Sequence, residues 1–113
     1  MSQITTHVLD VSLGRPAANV PVILEAQTAD GRWTEAGRGS TNGDGRLKDL
    51  GAAKAFGAGI YRLTFDTRAY FAALKIEGLY PQVIIAFEVR DAKEHYHIPL
   101  LLSPYGYSTY RGS

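Results

Sequence analysis

Gly59-Ile60-Tyr61-Arg62-Leu63-Thr64-Phe65-Asp66 decides the fold class. Tyr61, Leu63 and Phe65 fall on one side of an extended chain and Ile60, Arg62 and Thr64 on the other, the period-two pattern of a strand with one buried face. Short stretches of the same kind lie on both sides of it. Residues 4–10, rich in Thr, Ile and Val, run into Ser12-Leu13-Gly14-Arg15-Pro16 and read as a strand with its exit. Residues 20–26 read as a second strand, and Pro21 fits only at its start or on an edge. After an Asp30-Gly31 turn, residues 33–41 read as a weaker strand whose glycines predict a bulge or a close backbone approach.

The run Thr41-Asn42-Gly43-Asp44-Gly45-Arg46 is a dense turn signal, and Arg46 emerges from it. Asp66-Thr67 predicts the cap of a helix over residues 68–77, stopped by Gly78. Residues 83–89 and 96–102 read as two strands joined through Arg90-Asp91-Ala92-Lys93-Glu94 as a hairpin link, and residues 107–111 as a closing strand. Seven or so strands with one brief helix predict an all-β, two-sheet antiparallel sandwich of Greek-key type. Open sheets leave edge strands that seek pairing, so an oligomer is expected.

Composition narrows the function. At 113 residues the chain suits a single domain spanning 1–113, and 45% hydrophobic against 20% charged residues argues for a packed core over disorder. A formal charge of +1 is too small an excess to draw in a polyanion, so nucleic acid is not an expected partner. With no cysteine, any chemistry falls to His, Asp, Glu, Ser and Tyr. No stretch approaches the ~18 apolar residues of a membrane span, and the first residues carry neither a basic nor an apolar leader segment. The expectation is a cytoplasmic protein with no membrane partner.

The three histidines are the sharpest chemical feature, because only imidazole exchanges protons near neutral pH without perturbation. His95 and His97, two apart, share one face of an extended segment while Tyr96 points the other way. Three readings stand together at this point. The pair could be ordinary hairpin and strand residues. With His7 it could supply three imidazoles to zinc, leaving one position open for water. Or the histidines could act without metal as acid and base, with Arg46 as an electrostatic partner. The carboxy-terminal run from Ser103 to Ser113 carries Ser108, Tyr110, Arg111 and Ser113, whose hydroxyl and guanidinium donors suit a polar planar ligand unless the tail frays.

Four stretches carry a family pattern: Thr6-His7-Val8-Leu9-Asp10, Asp44-Gly45-Arg46, His95-Tyr96-His97-Ile98-Pro99-Leu100-Leu101-Leu102-Ser103-Pro104, and the terminal Tyr110-Arg111-Gly112-Ser113. In this order, and through nearly the whole chain, the sequence resembles the 5-hydroxyisourate hydrolases, transthyretin-like enzymes of purine catabolism. The terminal tetrapeptide and the histidine set distinguish those enzymes from the related hormone carriers. The resemblance implies a transthyretin-type sandwich of two four-stranded sheets, assembled as a homotetramer with active sites in a channel between paired dimers. It also implies cofactor-free, metal-free addition of water to 5-hydroxyisourate, giving 2-oxo-4-hydroxy-4-carboxy-5-ureidoimidazoline.

Carried over by position, the resemblance implies catalytic roles for His7, Arg46, His97 and Ser113. Substrate contacts would come from His7, Arg46, Ser108, Tyr110 and Arg111, with Arg111 also suited to pairing with a carboxylate or backbone group that fixes the tail. One of His7 and His97 would take a proton from water as it attacks the lactam carbonyl, while Arg46 stabilises the oxyanion or orients the water. The role of His95 stays open. The rival reading is a transthyretin-like carrier that holds a small molecule in the same channel without catalysis.

Overall fold

The computed structural model describes residues 3–50 and 56–113. Residues 1 and 2, the start of the stretch 1–7 in which no leader segment is expected, lie outside them. The elements are β1 (Ile4–Asp10), β2 (Arg15–Pro16), β3 (Pro21–Gln27), β4 (Trp33–Ser40), β5 (Arg46–Leu47), β6 (Gly59–Phe65), α1 (Thr67–Ala73), β7 (Val83–Val89), β8 (Tyr96–Ser103) and β9 (Gly106–Thr109). One sheet runs β4-β3-β6-β7. The other runs β2-β1-β8-β9, with β5 also paired to β1.

The alternation read from the sequence is what fills the space between the sheets. Tyr61, Leu63 and Phe65 of β6 are buried, as are Ile4 and Val8 of β1, Val22 and Leu24 of β3, Val83, Ile85 and Val89 of β7, and Ile98, Leu100 and Leu102 of β8. These side chains form one continuous cluster, and removing their apolar surface from water is the main drive holding the sheets face to face. The fold is an all-β, two-sheet sandwich with one short helix, as expected. The register of β3 on β4 shifts between Leu24 and Glu25, a bulge in the glycine-bearing pair where the sequence predicted one.

Three local expectations are corrected. The sheet that holds β1 and β8 is mixed, not purely antiparallel: these two strands run parallel over seven pairs from Ile4 with Tyr96 to Asp10 with Leu102. Two strands ninety residues apart carry no local turn that could have revealed their direction. Residues 90–95 do not close a hairpin, because β7 and β8 lie in different sheets and this link crosses from one to the other. The helix ends at Ala73, not at residue 77. Lys75 takes the left-handed conformation with φ 58°, the amide of Ile76 donates to the Phe71 carbonyl, and that of Lys75 donates to Ala72. This pair of bonds is the Schellman closure, built on a lysine before Gly78 is reached. The N-terminal expectation holds: Asp66 caps α1 by accepting from the Ala69 amide at 3.0 Å.

The outer edge of β1 is divided between two short strands, which makes this sheet five-stranded where four were expected. β2 pairs with Leu9 and Asp10, and β5 with Thr6 and His7. Between them Val8 donates to the Gly45 carbonyl and accepts from the Ala17 amide, so the edge is satisfied along its length. At the far end of β1 the buried Asp10 carboxylate accepts from the Ser12 hydroxyl and amide, the Leu13 amide and the Tyr70 hydroxyl, tying strand to helix.

Candidate active site

The strand period that buries Ile4, Thr6 and Val8 turns Thr5 and His7 to the opposite, outer face of their sheet. The same period on β8 turns His97 outward, and Thr5 is the register partner of His97. Arg46 reaches this face through the turn before it. The Asn42 side chain accepts from the amides of Asp44 and Arg46, and Gly45 adopts φ +75° with Val8 O only 2.3 Å from where a Cβ would stand. Only glycine fits there, and its position lets the turn wrap the strand so that Arg46 pairs with His7.

Thr5, Thr6, Arg46, Lys48, His95, His97 and Ser113 line an open cavity of about 250 Å³. His97 is half-buried and its pKa lies below the ordinary 6.5. Burial is the main cause, and the charges of His95, Arg46 and His7 act in the same direction. It is therefore held as a neutral imidazole at pH 7. Its Nδ1 lies 2.8 Å from Thr5 Oγ1, and its Cδ2 packs on Gly112, where a Cβ would come within 2.5 Å. The remaining Cε1–Nε2 edge is the part of the ring left for the cavity. A neutral imidazole beside two cationic side chains can accept a proton while the cations stabilise negative charge on a bound molecule.

The cavity thus gathers Arg46, His97 and Ser113 of the residues singled out from the sequence. His7 stands next to Arg46 in the ladder, and its Nε2 donates to the Asp44 carbonyl at 2.8 Å, which leaves Nδ1 as its basic nitrogen. Ser108 and Tyr110 are exposed and do not line the cavity of the single chain. Arg111 turns away: its guanidinium lies over the Tyr96 ring at 4.4 Å, donates to the His95 carbonyl at 3.1 Å and meets Glu94 at 3.4 Å. Those contacts hold the tail down, and the Gly112 amide completes the anchoring by donating to the His97 carbonyl. Among the described residues no three His, Asp or Glu side chains are grouped to hold a metal ion.

Thr5, Lys48 and Gly112 belong to this site; sequence reasoning passed over the first two and took Gly112 only as part of the terminal tetrapeptide. The strand period contained the signal for two of them, since Thr5 lies two residues before His7 and Lys48 two after Arg46. For Gly112 the terminal tetrapeptide marked the position but not the role, which depends on a ring fifteen residues away.

Known proteins match this chain over nearly its whole length and in fold. A profile of the HIUase/Transthyretin family matches residues 4–112. A protein of Salmonella typhimurium named 5-hydroxyisourate hydrolase is 46% identical over 110 residues, covering 97% of this chain and 80% of that one. Among solved structures, Klebsiella pneumoniae 5-hydroxyisourate hydrolase superimposes with a TM-score of 0.87 at 37% identity over 100% of both chains. Sea bream transthyretin in complex with thyroxine gives 0.91 at 32% identity, covering 97% of this chain and 94% of that one. The family match runs from the first residue of β1 to the glycine that seats His97, and on that extent the chain belongs to the HIUase/Transthyretin family.

Proposed function

We propose that the protein hydrolyses 5-hydroxyisourate to 2-oxo-4-hydroxy-4-carboxy-5-ureidoimidazoline, a step in urate breakdown. The activity is that of the named relatives. The observation that carries it to this chain is the neutral, half-buried His97 facing a cavity it shares with Arg46, Lys48 and Ser113. In this scheme His97 Nε2 takes a proton from water as the oxygen attacks the ring carbonyl. The Arg46 guanidinium faces the oxyanion, and the imidazolium then returns its proton to the departing ring nitrogen. His7, its Nε2 proton engaged by Asp44, offers Nδ1 to the substrate beside Arg46. Ser113 supplies a further hydrogen bond, and Arg111 secures the tail from the other side.

The carrier reading draws on the likeness to thyroxine-bound transthyretin. The lining argues against it here: two imidazoles, an arginine and a lysine suit a polar heterocycle rich in carbonyl acceptors better than an apolar iodinated ring. We further infer that residues 1–113 act as one hydrolase domain, in the cytoplasm, and as a homotetramer in which Ser108 and Tyr110 complete the binding site against a neighbouring copy. The test generates 5-hydroxyisourate with urate oxidase and follows its ultraviolet absorbance. Decay accelerated well beyond the spontaneous rate, in proportion to added protein, is the expected result. An unchanged decay overturns the hydrolase reading.

A further inference from the structure

His95 lies outside the scheme above, yet its ring stands nearly parallel to that of His97, centroids 6.2 Å apart and planes 22° from each other. One atom joins them. Thr5 Oγ1 is 2.9 Å from His95 Nε2 and 2.8 Å from His97 Nδ1. A hydroxyl has a single proton and two lone pairs, so between two imidazole nitrogens it can donate to one only. The two tautomers are therefore coupled through Thr5.

Three proton arrangements fit these distances. If both rings donate to Thr5, its hydroxyl proton is left without either imidazole as acceptor on a side chain only 3% exposed. If His95 donates and Thr5 passes its own proton to His97 Nδ1, then His97 carries its proton on Nε2, aimed at a cavity that already holds Arg46 and Lys48. If His97 Nδ1 donates to Thr5 and Thr5 donates to His95 Nε2, all three groups are satisfied. The Nε2 lone pair of His97 then faces the cations, and the spare proton of His95 sits on Nδ1 of an exposed residue that water can serve. The groups facing His97 are Thr5 and His7 on β1, Arg46 and Lys48 on and after β5, His95 on its own segment, and Gly112 and Ser113 of the tail.

We propose that Thr5 and His95 are positioning residues that clamp His97 in the Nδ1-protonated tautomer, so that its Nε2 lone pair is presented to the substrate cavity. This rests on the reading of His97 as the base for hydrolysis. The clamp itself exists without substrate. Its direct readout is nitrogen-resolved NMR of the imidazoles in the intact protein near pH 8, where the neutral forms prevail. The expected result for His97 is a protonated Nδ1 and an unprotonated Nε2. Thr5→Val keeps the side-chain shape and removes the hydroxyl. It should turn that single tautomer into a mixture and lower kcat by ~10- to ~100-fold with little change in KM, the usual effect of losing a group that orients a working residue. Thr5→Ser should restore both. His95→Ala, at an exposed position, reports on the same chain should Thr5→Val not fold, and should also mix the His97 tautomers.

A wild-type His97 protonated on Nε2 overturns the clamp. So does a folded Thr5→Val or His95→Ala protein that keeps the single tautomer and full kcat. A wild type with the expected tautomer but no effect on 5-hydroxyisourate decay overturns the hydrolase reading alone.

Discussion

A proton acceptor at neutral pH must be uncharged and must point at its target, and His97 meets the first condition through burial. Its depressed pKa fixes the sign of two pH effects. The neutral base persists below pH 6.5, so the acid limb of kcat/KM should have its midpoint under that value. A midpoint at or above 6.5 would mean that another group limits the rate. Folding stability is favoured by the neutral ring above pH 6.5 and declines as pH falls through the folded value, since the unfolded chain binds that proton more readily. His97→Asn should lower kcat by ~10²- to ~10⁴-fold, as expected on removing a positioned base, with the fold intact by circular dichroism. Tyr70 offers a contrast, a buried titratable pair used for stability. Burial would raise the Asp10 pKa, but the hydrogen bonds from Ser12, Tyr70 and the Leu13 amide outweigh it and hold the carboxyl below 3.8. Tyr70→Phe loses a hydrogen bond to a charged acceptor and should cost about 1.5–3 kcal/mol by urea unfolding at pH 7. Because a depressed carboxylate stabilises only above its unfolded value, that cost should shrink as pH drops below ~4.

At the scale of elements, the site is where three strands and the chain end meet, and each arrives by a different kind of information. β6 was legible residue by residue, because one buried face forces alternation on Gly59 to Phe65, and β1 was legible from its Thr, Ile and Val content and the turn that follows it. The placement of Arg46 was half legible: Asn42, Gly43 and Gly45 announce a tight turn, but nothing in them says that it wraps β1. The parallel union of β1 with β8 was illegible, since pairing direction across ninety residues is decided by the whole core and not by either strand. The Thr5 bridge, which that union creates, was hidden with it. The tail shows why sequence specificity can sit at a chain end. Gly112 lies so close to the His97 ring that Gly112→Ala must move either the ring or the tail, because the added carbon would stand 2.5 Å from Cδ2. That single methyl should reduce kcat at least ~10-fold while leaving the thermal midpoint within a few degrees, the tail contributing little to the core. Deleting residues 110–113 should abolish activity without changing the assembly mass. An active truncation would remove the tail from the site.

For the whole molecule the question is what covers its open edges. Among the described residues β7 is the last strand of its sheet and β9 the last of the other, so each presents an open backbone edge on one side. Exposed apolar side chains accompany those edges, Ile84 on β7 at 44% and Tyr107 on β9 at 44%. Edge-to-edge pairing between copies would satisfy the backbone and extend both sheets, and it would leave the outer face bearing Thr5, His7 and His97 free for a second pair of copies. That order of assembly would give the proposed dimer of dimers, for which sedimentation at micromolar concentration should return about four times the chain mass. Ile84→Lys adds a charge at the edge without touching the core and should lower that mass. If Ser108 and Tyr110 act on substrate bound beside a neighbouring copy, kcat/KM should fall in parallel with the loss of the larger species as the variant is diluted. A variant that sediments as a monomer yet hydrolyses 5-hydroxyisourate at the full rate would place the entire site within one chain, and the exposure of Ser108 and Tyr110 would then count against any role for them in binding.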